Sequence, residues 1–211
     1  KEYNNIKRNF VDESAVKEAY TMGDGKTHVA VLDMGIKGSI LSGILARDAK
    51  VTVFPWNAKA DEILAVNPDG LLISNGPGDP KDVMQTVETV KELTGVLPVC
   101  GICLGHQIIG LSLGYDTYKL KFGHHGGNHP VKDIKRDRVF MTSQNHNYAL
   151  SLSDNDDVEI THINLNDNTV EGIKHKSLPI ISVQYHPEAA PGPLESRYIF
   201  DEFLDMIRNY K

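Results

Sequence analysis

The chain has 211 residues, 40% hydrophobic and 24% charged, with 22 basic against 28 acidic side chains and a net charge of -6. That size and composition fit one globular domain with a sizeable core. The acidic balance argues against a nucleic-acid binder, two cysteines imply no disulfide framework, and no apolar run reaches the ~20 residues of a membrane span. No signal-peptide pattern opens the chain, so a cytoplasmic protein is expected. It starts at Lys1 rather than methionine, as a fragment or a processed product would.

Residues 1–26 read as a polar lead-in outside the core, with one short helix over Val11 to Tyr20 ended by Gly23-Asp24-Gly25. From Thr27 apolar strands alternate with helices. The strands are His28–Leu32, Val51–Phe54, Leu71–Ile73 and Leu97–Cys100. The helices are Ser39–Ala46, Ala60–Val66, Asp82–Leu93 and Leu104–Leu113. Continuously apolar strands separated by helices predict a parallel sheet covered on both faces. Ligands of such sheets bind beyond the carboxyl ends of the strands. After Leu113 five further strands follow without long helices between them: Tyr115–Leu120, Val139–Thr142, Val158–Asn164, Val170–Lys174 and Ile180–Tyr185. They read as an antiparallel extension or as the completion of the main sheet. Leu194–Tyr210 closes the chain as an amphipathic helix. Residues 27–211 are thus expected to form one domain.

The organising stretch is Gly101-Ile102-Cys103-Leu104-Gly105, between a buried strand and a helix. Its pattern is that of a G-x-S-x-G nucleophile elbow with sulfur in place of oxygen. The flanking glycines leave room for a tight turn. The partial positive charge of a helix N-terminus favours a thiolate there. The candidate base is His186, directly after the strand Pro179–Val183, with Glu188 two residues on to fix its tautomer.

Other segments have competing readings. Ser74-Asn75-Gly76-Pro77-Gly78-Asp79-Pro80 is a tight loop whose N–H groups could face an anion, but it lacks the Lys-Ser/Thr of a nucleotide phosphate cradle. Cys100 and Cys103 form a C-x-x-C pair, a possible redox motif, although Cys100 falls on a buried strand and the redox reading leaves His-Pro-Glu unused. His124, His125 and His129 cluster among glycines. With no cysteine or carboxylate cluster in nearby sequence they read as a loop shaped for close approach, and no metal is expected. Ser143 to Tyr148 reads as a polar segment after a strand, supplying amide contacts or a plain turn.

Taken together, Ser74–Pro80, Gly101–Gln107, Gly126-Gly127-Asn128-His129-Pro130-Val131, Gln144-Asn145-His146 and His186-Pro187-Glu188-Ala189-Ala190-Pro191-Gly192-Pro193 resemble the triad-type glutamine amidotransferases. The Gly-Gly-Asn-His-Pro-Val and Pro-Gly-Pro segments are similar to the glutaminase domain of the carbamoyl phosphate synthetase small subunit. The resemblance runs from about Thr27 to the C-terminus. It implies an α/β fold, flavodoxin-like, with an open, mostly parallel sheet, helices on both faces and a small antiparallel extension. It implies Cys103 as nucleophile on the side-chain amide of L-glutamine, with His186 as base and then acid, and Glu188 as orienter. Gly76, Gly78, Leu104, Gln107, Asn145, Asn147 and Tyr148 would bind glutamine, with backbone N–H groups of Leu104 and the Gly76–Gly78 loop as the oxyanion hole. No cofactor is expected in this domain. ATP and bicarbonate would be used by a partner, a large synthetase subunit or domain that receives the ammonia. The chain departs from the family pattern at Ser39 (usually Asn), Asn147 (usually Gly) and Ala190 (usually Ser), and nothing in it resembles the small subunit's N-terminal domain. The alternatives are the glutaminase of another amide-transfer synthase, or a regulatory module on the same scaffold.

Overall fold

The computed structural model describes residues 8–152, 157–189 and 192–210. Ala190 and residues 1–7 of the lead-in lie outside them. Among the described residues one sheet of ten strands runs through the molecule: β1 (Tyr20–Met22), β2 (Thr27–Asp33), β3 (Ala49–Pro55), β4 (Gly70–Ile73), β5 (Val99–Ile102), β6 (Asp116–Asp133), β7 (Arg138–Ser151), β8 (Val158–Asn164), β9 (Val170–His175) and β10 (Ile180–Val183), in the order β1-β3-β2-β4-β5-β10-β9-β8-β6-β7. β3, β2, β4, β5 and β10 are parallel neighbours. β1 adds antiparallel at one edge, and β9, β8, β6 and β7 form the antiparallel extension at the other.

The apolar alternation of the central strands feeds two cores. Ala30, Leu32, Leu71, Ile73 and Val99 face one side, packed under α3 (Ala60–Leu64), α4 (Met84–Leu93) and α5 (Leu104–Ser112). Val29, Val31, Leu72, Cys100 and Ile102 face the other, under α2 (Gly38–Leu45) and α6 (Tyr198–Tyr210). A strand buried on both faces needs no polar side, which is why these segments read as continuous apolar runs.

Three expectations are corrected. The lead-in is not outside the core. Its helix α1 is short (Phe10–Ser14), Val11 is buried in the first core, the Val16 N–H donates to Asp33 at 2.9 Å, and Tyr20–Met22 pairs with β3. Asp82–Leu93 opens as a 3-10 turn over Pro80–Val83, with the Asp79 side chain accepting from the Lys81 N–H, and α4 starts at Met84. The histidine–glycine segment is not a loop, nor is Ser143–Tyr148 a turn. Both lie in the long β6–β7 hairpin, where register shifts between Lys119 and His124 and between Gly126 and His129 absorb the glycines as irregularities.

Candidate active site

Pairing register brings the site together. Val183 of β10 lies beside Ile102 of β5, so Cys103 and Gln184 leave adjacent parallel strands side by side. Ile73 of β4 lies beside Gly101, which sets the Ser74–Pro80 loop on the other flank of Cys103. The Cys103 N–H donates to the Val183 carbonyl at 2.9 Å, and the Gly105 N–H donates to the Ser74 carbonyl at 3.2 Å.

Cys103 has φ 55° and ψ -102°, in the left-handed half of the map where a side chain is strained. The turn closes because Gly105 has no side chain: a Cβ there would stand 2.2 Å from the Ile73 carbonyl oxygen. Leu104 opens α5, so helix geometry leaves its N–H without an intrahelical acceptor.

His186 is almost fully buried, and its N–H donates to the Ser143 carbonyl at 2.9 Å, a bridge that ties it to the β7 strand. Its Nδ1 lies 2.8 Å from Glu188 Oε1, which leaves Nε2 for the Cys103 sulfur. Burial alone would lower the His186 pKa. The charge and hydrogen bond of Cys103, and then those of Glu188, outweigh it and raise it to about 10. Both partners thus favour the protonated ring over the neutral one. Burial works to raise the Glu188 carboxyl, but the hydrogen bond and charge of His186 hold it below the usual range, with help from Lys37. Lys37, at the N-terminus of α2, places Nζ 3.2 Å from Glu188 Oε1. Sequence spacing gave no signal for Lys37, which reaches this carboxylate only because β2 lies in the same parallel set.

A cavity of about 180 Å³ opens beside the sulfur. Its wall holds Cys103 and all seven residues expected to bind substrate, Gly76, Gly78, Leu104, Gln107, Asn145, Asn147 and Tyr148, together with Pro77 and His146. The volume suits a single amino acid better than a drug-sized ligand of ~300–1,000 Å³. The Tyr148 carbonyl accepts from Gln107 Nε2 at 2.8 Å, and burial, with Asp79 nearby, raises the pKa of its hydroxyl. Asn147 sits within β7 without a positive φ, so no backbone requirement for glycine exists at that position. A larger cavity of about 560 Å³ between β8–β10 and α6 contains none of these residues.

Residues 30–206 match the glutamine amidotransferase class-I family. The chain belongs to that family. This amidotransferase chain is 52% identical over 204 residues to the carbamoyl phosphate synthase small chain of Methanopyrus kandleri, covering 95% of itself and 56% of that protein. It is 51% identical over 204 residues to the protein of the same name from Archaeoglobus fulgidus, covering 96% and 57%. The Clostridium perfringens protein of that name is 53% identical over 199 residues, covering 93% and 56%. The chain thus spans a little over half the length of these relatives. Among solved structures, a putative GMP synthase component from Thermoplasma acidophilum superposes with a TM-score of 0.76 over 90% of this chain and 97% of that one. At 22% identity that likeness speaks for the amidotransferase fold alone.

The amidotransferase's histidine cluster also differs from expectation, because a carboxylate does lie near it in space. Ligand atoms of His124, His146 and Glu171, all buried, fall within 4.8 Å of one another and could be considered for a metal. However, Gln144 Oε1 stands 2.9 Å from His124 Nδ1 and 2.8 Å from His146 Nε2. An ion bound to both nitrogens at about 2.1 Å would have to occupy the space that this oxygen fills. The cluster as folded is a buried polar network behind the cavity wall. Burial works against a charge on His124, but Glu171 and Asp167 outweigh it and raise the pKa to about 9. Burial pushes the His146 pKa down to about 3. Cys100 is buried on a strand, and burial, reinforced by Glu202, pushes its thiol well up, which suits packing and not exchange chemistry.

No helix of the described residues is long and apolar enough to cross a membrane.

Proposed function

We propose that this domain hydrolyses L-glutamine to glutamate and ammonia, and that the ammonia serves carbamoyl phosphate synthesis on a large synthetase subunit using bicarbonate and ATP. The observation that carries the first half is that Cys103 lines an amino-acid-sized cavity and is backed by the buried His186 ring, whose far nitrogen is held by Glu188. The names of the half-identical relatives support the second half.

In this mechanism the Cys103 thiolate attacks the side-chain carboxamide carbon of glutamine. Negative charge develops on the amide oxygen, beside the Leu104 N–H and the backbone of Gly76–Gly78. Oxyanion donors of this kind contribute about 3 kcal/mol each. His186 Nε2 gives its proton to the departing nitrogen, ammonia leaves, and a glutamyl thioester remains on Cys103. Acylation removes the sulfur's negative charge, one of the groups that hold the ring proton. The neutral ring then takes a proton from water, which attacks the thioester and frees glutamate. Glu188 holds the ring's far nitrogen throughout.

The test is ammonia release from glutamine, with and without a carbamoyl phosphate synthetase large subunit, bicarbonate and ATP. Hydrolysis that rises when the synthetase is present supports both halves. Hydrolysis with no response to that subunit, together with co-purification with a different amide-transfer synthase, would move the acceptor. An unlabelled Cys103 after exposure to a glutamine-analogue electrophile, with no hydrolysis under any condition, sinks the reading.

A further inference from the structure

Gln184 is wholly buried, yet both ends of its side-chain amide are engaged. Its Oε1 accepts from Gln107 Nε2 at 3.0 Å, and its Nε2 points at Cys103 Sγ at 3.7 Å. Nitrogen and oxygen of an amide are easily interchanged on shape alone, so the polarity of this chain needs an independent anchor. The Tyr148 backbone carbonyl supplies one. It can only accept, so the Gln107 atom 2.8 Å away must be the NH2 group. That same NH2 group can only donate to Gln184, so the Gln184 atom facing it is oxygen. The Gln184 atom facing sulfur is then nitrogen, with a hydrogen to offer.

We infer that Gln184 is a further catalytic residue, donating an amide N–H to the Cys103 thiolate, and that Gln107 and the Tyr148 carbonyl aim it. This deepens the proposed glutaminase reading and rests on it. His186 contacts the sulfur as the proton carrier, whereas Gln184 contacts it as a neutral donor that never gives its proton up. The distinction matters after the ring has spent its proton on ammonia, since the amide stays in place at the sulfur as it becomes the leaving group of the thioester step. The parallel pairing of β10 with β5 is what makes the contact possible, since Cys103 and Gln184 are the residues that follow the paired Ile102 and Val183. The same chain joins the sulfur to the cavity wall, because Gln107 and Tyr148 both line it.

The test is the pH dependence of Cys103 alkylation by iodoacetamide, located by mass spectrometry, in wild type and in Gln184→Met. Methionine keeps the length and loses the donor. Hydrogen bonds to charged groups predict a rise in the alkylation midpoint on the order of one pH unit in the variant. Glutaminase kcat should fall roughly tenfold with KM little changed. Gln107→Met should move the midpoint in the same direction but less, and raise KM. If Gln184→Met unfolds, Gln184→Leu carries the test, since it too offers the sulfur neither a hydrogen nor a charge, and the midpoint should rise likewise. A folded Gln184→Met or Gln184→Leu with the wild-type midpoint overturns the inference. Alkylation does not require turnover. A wild-type protein that hydrolyses no glutamine, with the midpoint still shifted between it and Gln184→Met, would therefore count against the glutaminase reading alone.

Discussion

The ammonium of Lys37 lies 3.2 Å from the Glu188 oxygen that also holds His186 Nδ1 at 2.8 Å. Glu188 thus answers to two cations, one buried and one half-exposed. Lys37→Met leaves the carboxylate with the imidazole alone. Because the lysine is solvated, the expected cost is about fivefold or less in kcat/KM for glutamine. A loss of several hundredfold would mean that Lys37 contacts substrate directly.

Replacing Cys103 with serine tests the nucleophile. Oxygen occupies the same strained elbow but ionises far less readily. Ammonia release should fall on the order of 10⁴-fold or more, as for removal of other nucleophile–base units. Thermal melting should stay near wild type, and substantial residual activity would exclude Cys103 as the attacking atom.

The His186 ring should titrate near 10 rather than 6.5, followed by nitrogen NMR of the ring. Its folded-state pKa is raised, so the interactions of its charged form stabilise the fold fully below about 6.5. They are lost as the pH climbs through about 10. In Cys103→Ser the ring loses its sulfur partner, and its midpoint should drop. A wild-type midpoint near 6.5 would contradict the pairing described for this ring.

Gly105→Ala places a methyl group 2.2 Å from the Ile73 carbonyl oxygen, a backbone atom that cannot rotate away. Overpacking of this kind should cost ~3 kcal/mol and lower Tm by about 10 °C. Calorimetry checks it, and a melting point unchanged within error would mean that the elbow is less tightly closed than described.

Prolonged treatment with EDTA should leave glutamine hydrolysis unchanged, since Gln144 fills the space between His124 and His146 and the proposed steps use no ion. Activity lost to the chelator and restored by a divalent cation would reassign that buried network.

The elbow turn and the His-Glu pairing were legible because each is local: a few residues carry the turn, the imidazole and the carboxylate beside it. The parallel half of the sheet was legible for a similar reason, since strands buried on both faces leave long apolar runs. Lys37 and Gln184 were not. Their contacts arise only once β2, β5 and β10 take their places in the sheet, and Gln184 meets a sulfur 81 residues away. The β6–β7 hairpin was misread because glycines and register shifts interrupt the alternation that marks a strand. The lead-in was misjudged because its burial rests on a few side chains, Val11 and Ala15 among them, and a three-residue edge strand.

The strand that Gln184 directly follows, and that leads on to His186, is only four residues long. Deleting one residue from it would turn the following side chains to the opposite side of the sheet. Shortening β10 by one position would therefore swing both groups away from the Cys103 sulfur, while Cys103, His186 and Glu188 all remained in the chain.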